Sequence, residues 1–215
     1  MSELGPSSAE VERQKAYIEL IAQIVEGPRS PMTPRDNWVG DVLKFWFEQT
    51  KPDQWFEKDA AFDASVRQRF LSLHESLVSR GSEGLLADAQ TALAAVIVLD
   101  QMSRNMFRDT PRAFAADPLA LAVAEAAIAQ GFDAGLSKDE RSFLYLPFGH
   151  AEDRHSQARA VALVASLGDP ELQKWAEAHR AIVDRFGRFP HRNGILGRNS
   201  TSEETEFLKE PNSSF

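Results

Sequence analysis

The chain has 215 residues, 43% of them hydrophobic, with a formal net charge of −8, enough length and apolar content to bury a core of its own. The acidic balance argues against a nucleic-acid partner, which needs a basic stripe to displace counterions. The absence of cysteine removes disulfides, thiolate metal sites and a cysteine nucleophile together.

Helical periodicity runs nearly throughout, and no segment alternates as a strand does. Residues 8–26 predict a first helix, with Val11, Ile18, Leu20, Ile21, Ile24 and Val25 forming an apolar stripe that Gly27 and Pro28 stop. Residues 29–34 carry two prolines and a serine and read as a linker. The expected organisation is a helical extension over 1–35, a single all-α domain over 36–210 and a frayed end over 211–215. Asp36 can cap a helix carrying Trp38, Val42, Phe45, Trp46 and Phe47. A second domain helix covers residues 59–80, with Phe62, Val66, Phe70, Leu73 and Leu77 at three- and four-residue steps before Gly81. Residues 85–107 form a long helix that is apolar all round from Ala92 to Leu99 and therefore buried.

Asp117 and Pro118 open an alanine-rich helix that Gly131 follows. Ser137 and Glu140 are spaced as a capping box for the next. Pro147 is expected to break or kink it, with a further helix over 149–167. Asp169 and Pro170 start a helix that ends at Gly187, and Thr201 with Glu204 caps a short last one. Eight to nine antiparallel helices result, arranged as a tetratricopeptide-like array or a bundle. Residues 114–132 look like one tetratricopeptide hairpin, although no clean 34-residue repeat is present.

Three polar blocks interrupt this apolar pattern. In the first, Asp100 and Arg104 are four apart on one helix face, and Gln101, Asn105 and Arg108 share another. The bland alternative is a self-satisfied pair bracing a helix end. In the second, His150, Asp153 and Gln157 step by three and four, and Glu152 stands three before His155. The Glu-x-x-His spacing suits a di-metal centre, but that centre needs a second copy, which the sequence lacks. With His150 at a helix start, the positive dipole end would keep its imidazole neutral, a state suited to a base. In the third, Arg185, Arg188, Arg192 and Arg198 crowd into fourteen positions with His191, Asn193, Pro190 and three glycines. Such a loop suits an anion, because arginine offers a planar fork of donors. His179 lies on the helix leading into it. There is no Gly-x-Ser-x-Gly elbow, Walker loop, dinucleotide fingerprint or His-Glu-x-x-His zinc motif.

Several blocks in order carry a resemblance. Residues 42–47, Trp55 with Phe56, Leu99-Asp100-Gln101 with Arg104-Asn105, and residues 111–117 look like successive motifs of domain-of-unknown-function family 924. So do residues 143–147, 150–153, 185–193, 196–198 and 200–208. The resemblance covers about 37–210. It implies a tetratricopeptide-like all-α fold and strengthens the choice of polar blocks, while assigning no activity.

The function expected from these observations is a polar pocket formed where the three blocks converge, holding a small anionic metabolite. His150 is the candidate acid or base, oriented by Asp153 or Asp100. The ligand-binding candidates are Gln101, Arg104, Asn105, Arg108, Glu152, Gln157, His179, Arg188, His191, Arg192, Asn193 and Arg198. The residues do not decide between catalysis and simple binding, and they leave the cofactor unknown. One alternative is a tetratricopeptide-like scaffold gripping a peptide or partner in a groove. Another is a metal-dependent enzyme using His150, Glu152, Asp153, His155, His179 and His191. No run reaches the ~18 apolar residues of a membrane span and the first residues lack a signal pattern, so a cytoplasmic protein without membrane contact is expected. The amphipathic helix over 8–26 either docks on the domain or makes a homo-oligomer contact.

Overall fold

A computed structural model describes residues 37–214, and every regular element among them is helical. The helix, linker and cap expected before residue 37 lie outside the described residues. Helix α1, Trp38–Leu43, runs without a break into π turns over Lys44–Gln49, and it buries Trp38, Val42, Phe45 and Trp46. Helix α2, Ala60–Arg80, is started by the Asp59 carboxylate, which accepts from the amides of Ala61 and Phe62. Its buried stripe of Phe62, Val66, Phe70, His74 and Leu77 keeps to three- and four-residue steps.

Helix α3 is the centre of the molecule. It runs as α-helix over Ala89–Val96, widens into π turns over Ile97–Met102 and closes with Ser103–Met106. Every side chain from Ala92 to Asp100 is fully buried, so it must be covered on all sides, and α1, α2, α4 and α5 supply that cover. The small residues of α4, Asp117–Ala129, let it lie close: Ala120, Ala122, Ala124 and Ala127 have no exposed surface. His74 of α2 is also buried, with Nε2 2.8 Å from Ser103 Oγ. That hydroxyl donates to Leu99 O at 2.7 Å, so the imidazole is the donor to it and stays neutral, a bracing role.

Helices α5, Lys138–His150, α6, Arg154–Ala165, and α7, Pro170–Phe186, follow one another through tight connections and pack in sequence, α6 against both neighbours. Helix α8, Ser202–Phe207, closes the described chain behind its Thr201–Glu204 capping box. A second apolar cluster of Ile182, Val183, Phe189 and Phe207 pins the arginine-rich loop onto α7. Beyond α8 the Ser213 hydroxyl donates to Leu208 O, and Ser213 is buried. No helix among the described residues is long and apolar enough to cross a membrane.

One boundary differs from the sequence expectation in a way that matters below. Pro147 does not end α5, which carries it inside and continues to His150. Gln157 of α6 caps the end that α5 reaches beyond the proline. Its buried amide donates to the carbonyls of Gly149 and Ala151, each at 2.8 Å, where α5 has run out of its own donors. Gln157→Leu keeps the volume but strands Ala151 O and leaves Gly149 O only His179 Nδ1, at 3.3 Å. It should cost about 2 kcal/mol in urea unfolding, and a cost near zero would deny the cap its importance.

Candidate functional site

Asp100 lies in the π turns of α3, and its carboxylate has no exposed surface. Both oxygens face Nδ1 of His150, at 2.8 and 2.9 Å, and Oδ2 also accepts from the Gln101 amide at 2.6 Å. Arg104 stands one turn on, 3.4 Å from Oδ1. Burial would raise the Asp100 pKa, but Arg104, His150 and Gln101 together hold it well below the usual carboxylate range. Asp100 is therefore an anion, and it fixes the His150 ring with its proton on Nδ1. Nε2 makes no hydrogen bond among the described residues, and the side chain keeps 12% of its surface exposed.

Arg104 turns its other face to Asp117, the first residue of α4, as a fork of two 3.0 Å hydrogen bonds. Arg192 comes from the 3-10 turn Pro190–Arg192 and reaches the same carboxylate at 3.7 Å. Its Nη1 also donates to His150 O at 3.0 Å, at the carbonyl end of α5, where a cation is favoured. The guanidinium sits over the rings of Phe114 and Phe189, at 4.7 and 4.6 Å. Its Nε is buried without an acceptor among the described residues. Burial, with Arg104 nearby, lowers the Arg192 pKa to about 10, which leaves it charged. Burial likewise raises Asp117, with Asp100 adding to the rise and the two arginines opposing it.

Burial also keeps the histidines around this cluster neutral. It pushes His150 down against the pull of Asp100. It takes His179, whose ring lies 6.5 Å from that of His150, down to about 3, and His191 down to about 4. The assembled groups are thus an aspartate-held imidazole, two arginines and a second, partly buried carboxylate. They can orient a proton acceptor and stabilise negative charge beside it.

Residues 42–212 match the family described as "Bacterial protein of unknown function (DUF924)". The chain belongs to that family. This DUF924 protein is also similar to the solved "Protein of Unknown Function ATU0120 from Agrobacterium tumefaciens", at 46% identity and a TM-score of 0.77, over 81% of this chain and 98% of that one. No curated protein matches it.

Within this DUF924 protein the three polar blocks meet only in part. Asp100, Gln101, Arg104, His150 and Arg192 come together, with His179 and His191 beside them. Asn105 and Arg108 do not join: both bond Asp63 of α2. Arg188 faces away, in a fork on the buried Glu204 at 2.6 and 2.8 Å. Arg198 forks onto Glu152, which also accepts from the Phe189 amide, so that pair staples the loop to the end of α5. Asn193 donates to Ser200 within the loop, and Gln157 caps α5.

Asp153 needs correcting in two respects. It is exposed and caps α6, accepting from Ser156 N at 2.8 Å, and so it cannot orient His150. His150 in turn ends α5 instead of starting a helix, so the dipole argument has the wrong sign. Its neutrality comes from burial. The di-metal spacing dissolves as well, because Glu152 turns to Arg198 while His155 is exposed. Among the described residues no three His, Asp or Glu side chains gather as metal ligands.

Sequence reasoning misses Asp117 and Phe114 as site residues. Asp117 with Pro118 carries an ordinary helix-start signal, which hides its carboxylate. A cleft of about 360 Å³ lies elsewhere, lined by Phe47, Pro52, Trp55, Ser137, Asp139 and Glu140. Its acidic rim suits no anion.

Proposed function

We propose that the Asp100–His150 pair, with Arg104 and Arg192, is a site that binds a small anionic metabolite and performs acid–base chemistry on it. His150 Nε2 is the proton-transfer atom, Asp100 holds its tautomer, and the arginines stabilise negative charge on the ligand. The observation that carries this reading is the pairing of two uncommitted groups: Nε2 of His150 and the buried Nε of Arg192. The two are complementary towards a ligand, since Nε2 is a proton acceptor and Nε a donor whose burial without a partner is costly. The stacked pairs α5–α6 and α6–α7 support a tetratricopeptide-like frame for such a pocket. A cytoplasmic location suits a metabolite ligand.

Native mass spectrometry and a thermal-shift screen against small carboxylates and phosphates test this. We expect an anion that raises the melting temperature of the wild-type chain. Arg192→Lys should fold normally and bind that anion about tenfold more weakly, because lysine keeps the charge but loses the fork. A screen in which no anion stabilises the wild-type protein would return the cluster to a bracing role.

A further inference from the structure

Arg192 uses only one of its hydrogen-bonding edges. Nη1 is committed to His150 O and lies near Asp117, whereas Nε and Nη2 meet no acceptor among the described residues. The two phenylalanine rings under the guanidinium fix its plane. A ligand must therefore come in edge-on, where two parallel N–H groups suit two oxygens lying in that same plane. A planar carboxylate meets this demand with both its oxygens. A tetrahedral phosphate turns its remaining oxygens out of the plane, towards the rings.

Charge decides the rest. Facing His150 are Asp100 and Arg104 from α3, Asp117 from α4, His179 from α7, and His191 and Arg192 from the arginine-rich loop, with Glu152 beside the last two. Asp100 and Asp117 offset Arg104 and Arg192, and Arg198 offsets Glu152. With the three imidazoles neutral the buried cluster sums to zero. One further negative charge enters it only if a compensating positive charge does. His150 is the imidazole already held by a carboxylate, through Nδ1, and its own carbonyl touches Arg192. Adding a proton at its open Nε2 completes an ion triad of carboxylate, imidazolium and ligand.

We infer that the site takes the monoanion of a carboxylic acid, seated on the Nε–Nη2 edge of Arg192, and that binding brings one proton from solvent onto His150 Nε2. This rests on the function proposed above and narrows it. The new N–H bond makes the liganded imidazole an acid, so His150 enters the reaction by donating a proton to the bound carboxylate's neighbouring atoms.

The test is calorimetric titration of acetate at about pH 7.5, where a free imidazole is mostly neutral, in two buffers of different ionisation enthalpy. Inorganic phosphate and neutral acetamide are titrated alongside, and the His150 ring is followed by NMR. The expected result is saturable acetate binding with close to one proton taken up per site and a His150 ring that becomes imidazolium. Phosphate should bind at least about tenfold more weakly, and acetamide should leave the ring unchanged. Acetate bound without proton uptake, or phosphate bound more tightly than acetate, overturns this inference while leaving an anion site in place. If neither anion perturbs the His150 ring, the inference and the proposed site fall together.

Discussion

Arg104→Ala is expected to lower stability by about 3 kcal/mol, because it removes the cation shared by the buried Asp100 and the partly exposed Asp117. Asp117 loses a two-bond fork and keeps only Arg192, at 3.7 Å. Asp100, fully buried, loses its nearest guanidinium and is left with His150 and Gln101. Burial already raises the Asp117 pKa, so the variant should protonate that residue in preference to keeping it charged, and its deficit relative to the wild type should shrink as pH is lowered through the carboxylate range. Urea unfolding of Arg104→Ala, Asp117→Asn and the double variant separates the contributions. The double variant should be less destabilised than the sum of the singles, since a neutral amide in place of the Asp117 carboxylate no longer needs Arg104. Additive costs would mean that Arg104 acts through Asp100 or through its packing on Phe114 instead.

Acidification should destabilise the protein early, before its carboxylates titrate. His74, His150, His179 and His191 all have pKa values pushed down by burial, to about 3 for His179 and about 4 for His191. In the unfolded chain a histidine binds its proton near pH 6.5. Stability from keeping these rings neutral is therefore complete above about 6.5. It drains away as pH falls towards the folded-state values, because the unfolded state then binds more protons. Between pH 7 and 4.5 the loss should be about 3 kcal/mol, discounted for partial exposure of the rings. The pKa of Asp100 is held low, so its contribution survives until pH falls below the ordinary carboxylate value. Chemical denaturation at a series of pH values checks this. His179→Gln with His191→Gln should flatten the limb below pH 6.5, and an unchanged limb would locate the acid sensitivity elsewhere.

Much of the fold could be read from residue order because its signals are local. The capping pairs Ser137–Glu140 and Thr201–Glu204, the stop at Gly81 and the buried run from Ala92 to Leu99 each depend on neighbours within a few positions. The site is harder to read for the same reason. Asp100 and Arg104 are visible as interruptions of an apolar run, and His150 and Arg192 as polar residues beside prolines. Their grouping depends on contacts between residues 13 to 75 positions apart, which periodicity cannot carry. Arg188, Arg198, Asn105 and Arg108 look like ligand-binding residues because arginine and asparagine show no sign in sequence of which carboxylate they will meet. The π turns are equally hidden, and they explain why Gln101, spaced to share a face with Asn105 and Arg108 on a regular helix, turns to Asp100 while those two meet Asp63.

Those π turns make α3 a helix holding more residues per turn over Ile97–Met102 than its two flanks require. The N-terminal flank is locked by shape, because every side chain of Ala92–Val96 is enclosed. The C-terminal flank is locked by charge and polarity, through Arg104 on Asp117 and Asn105 on Asp63. The widened turn is the mechanical coupling that lets two independently phased halves occupy one helix. The same six residues wound as ordinary α-helix would turn Ser103–Met106 by about 100° relative to the core half, and aim Arg104 and Asn105 away from both carboxylates. Substitutions in this stretch are matters of side-chain fit, but its winding is a phase setting for the whole polar cluster.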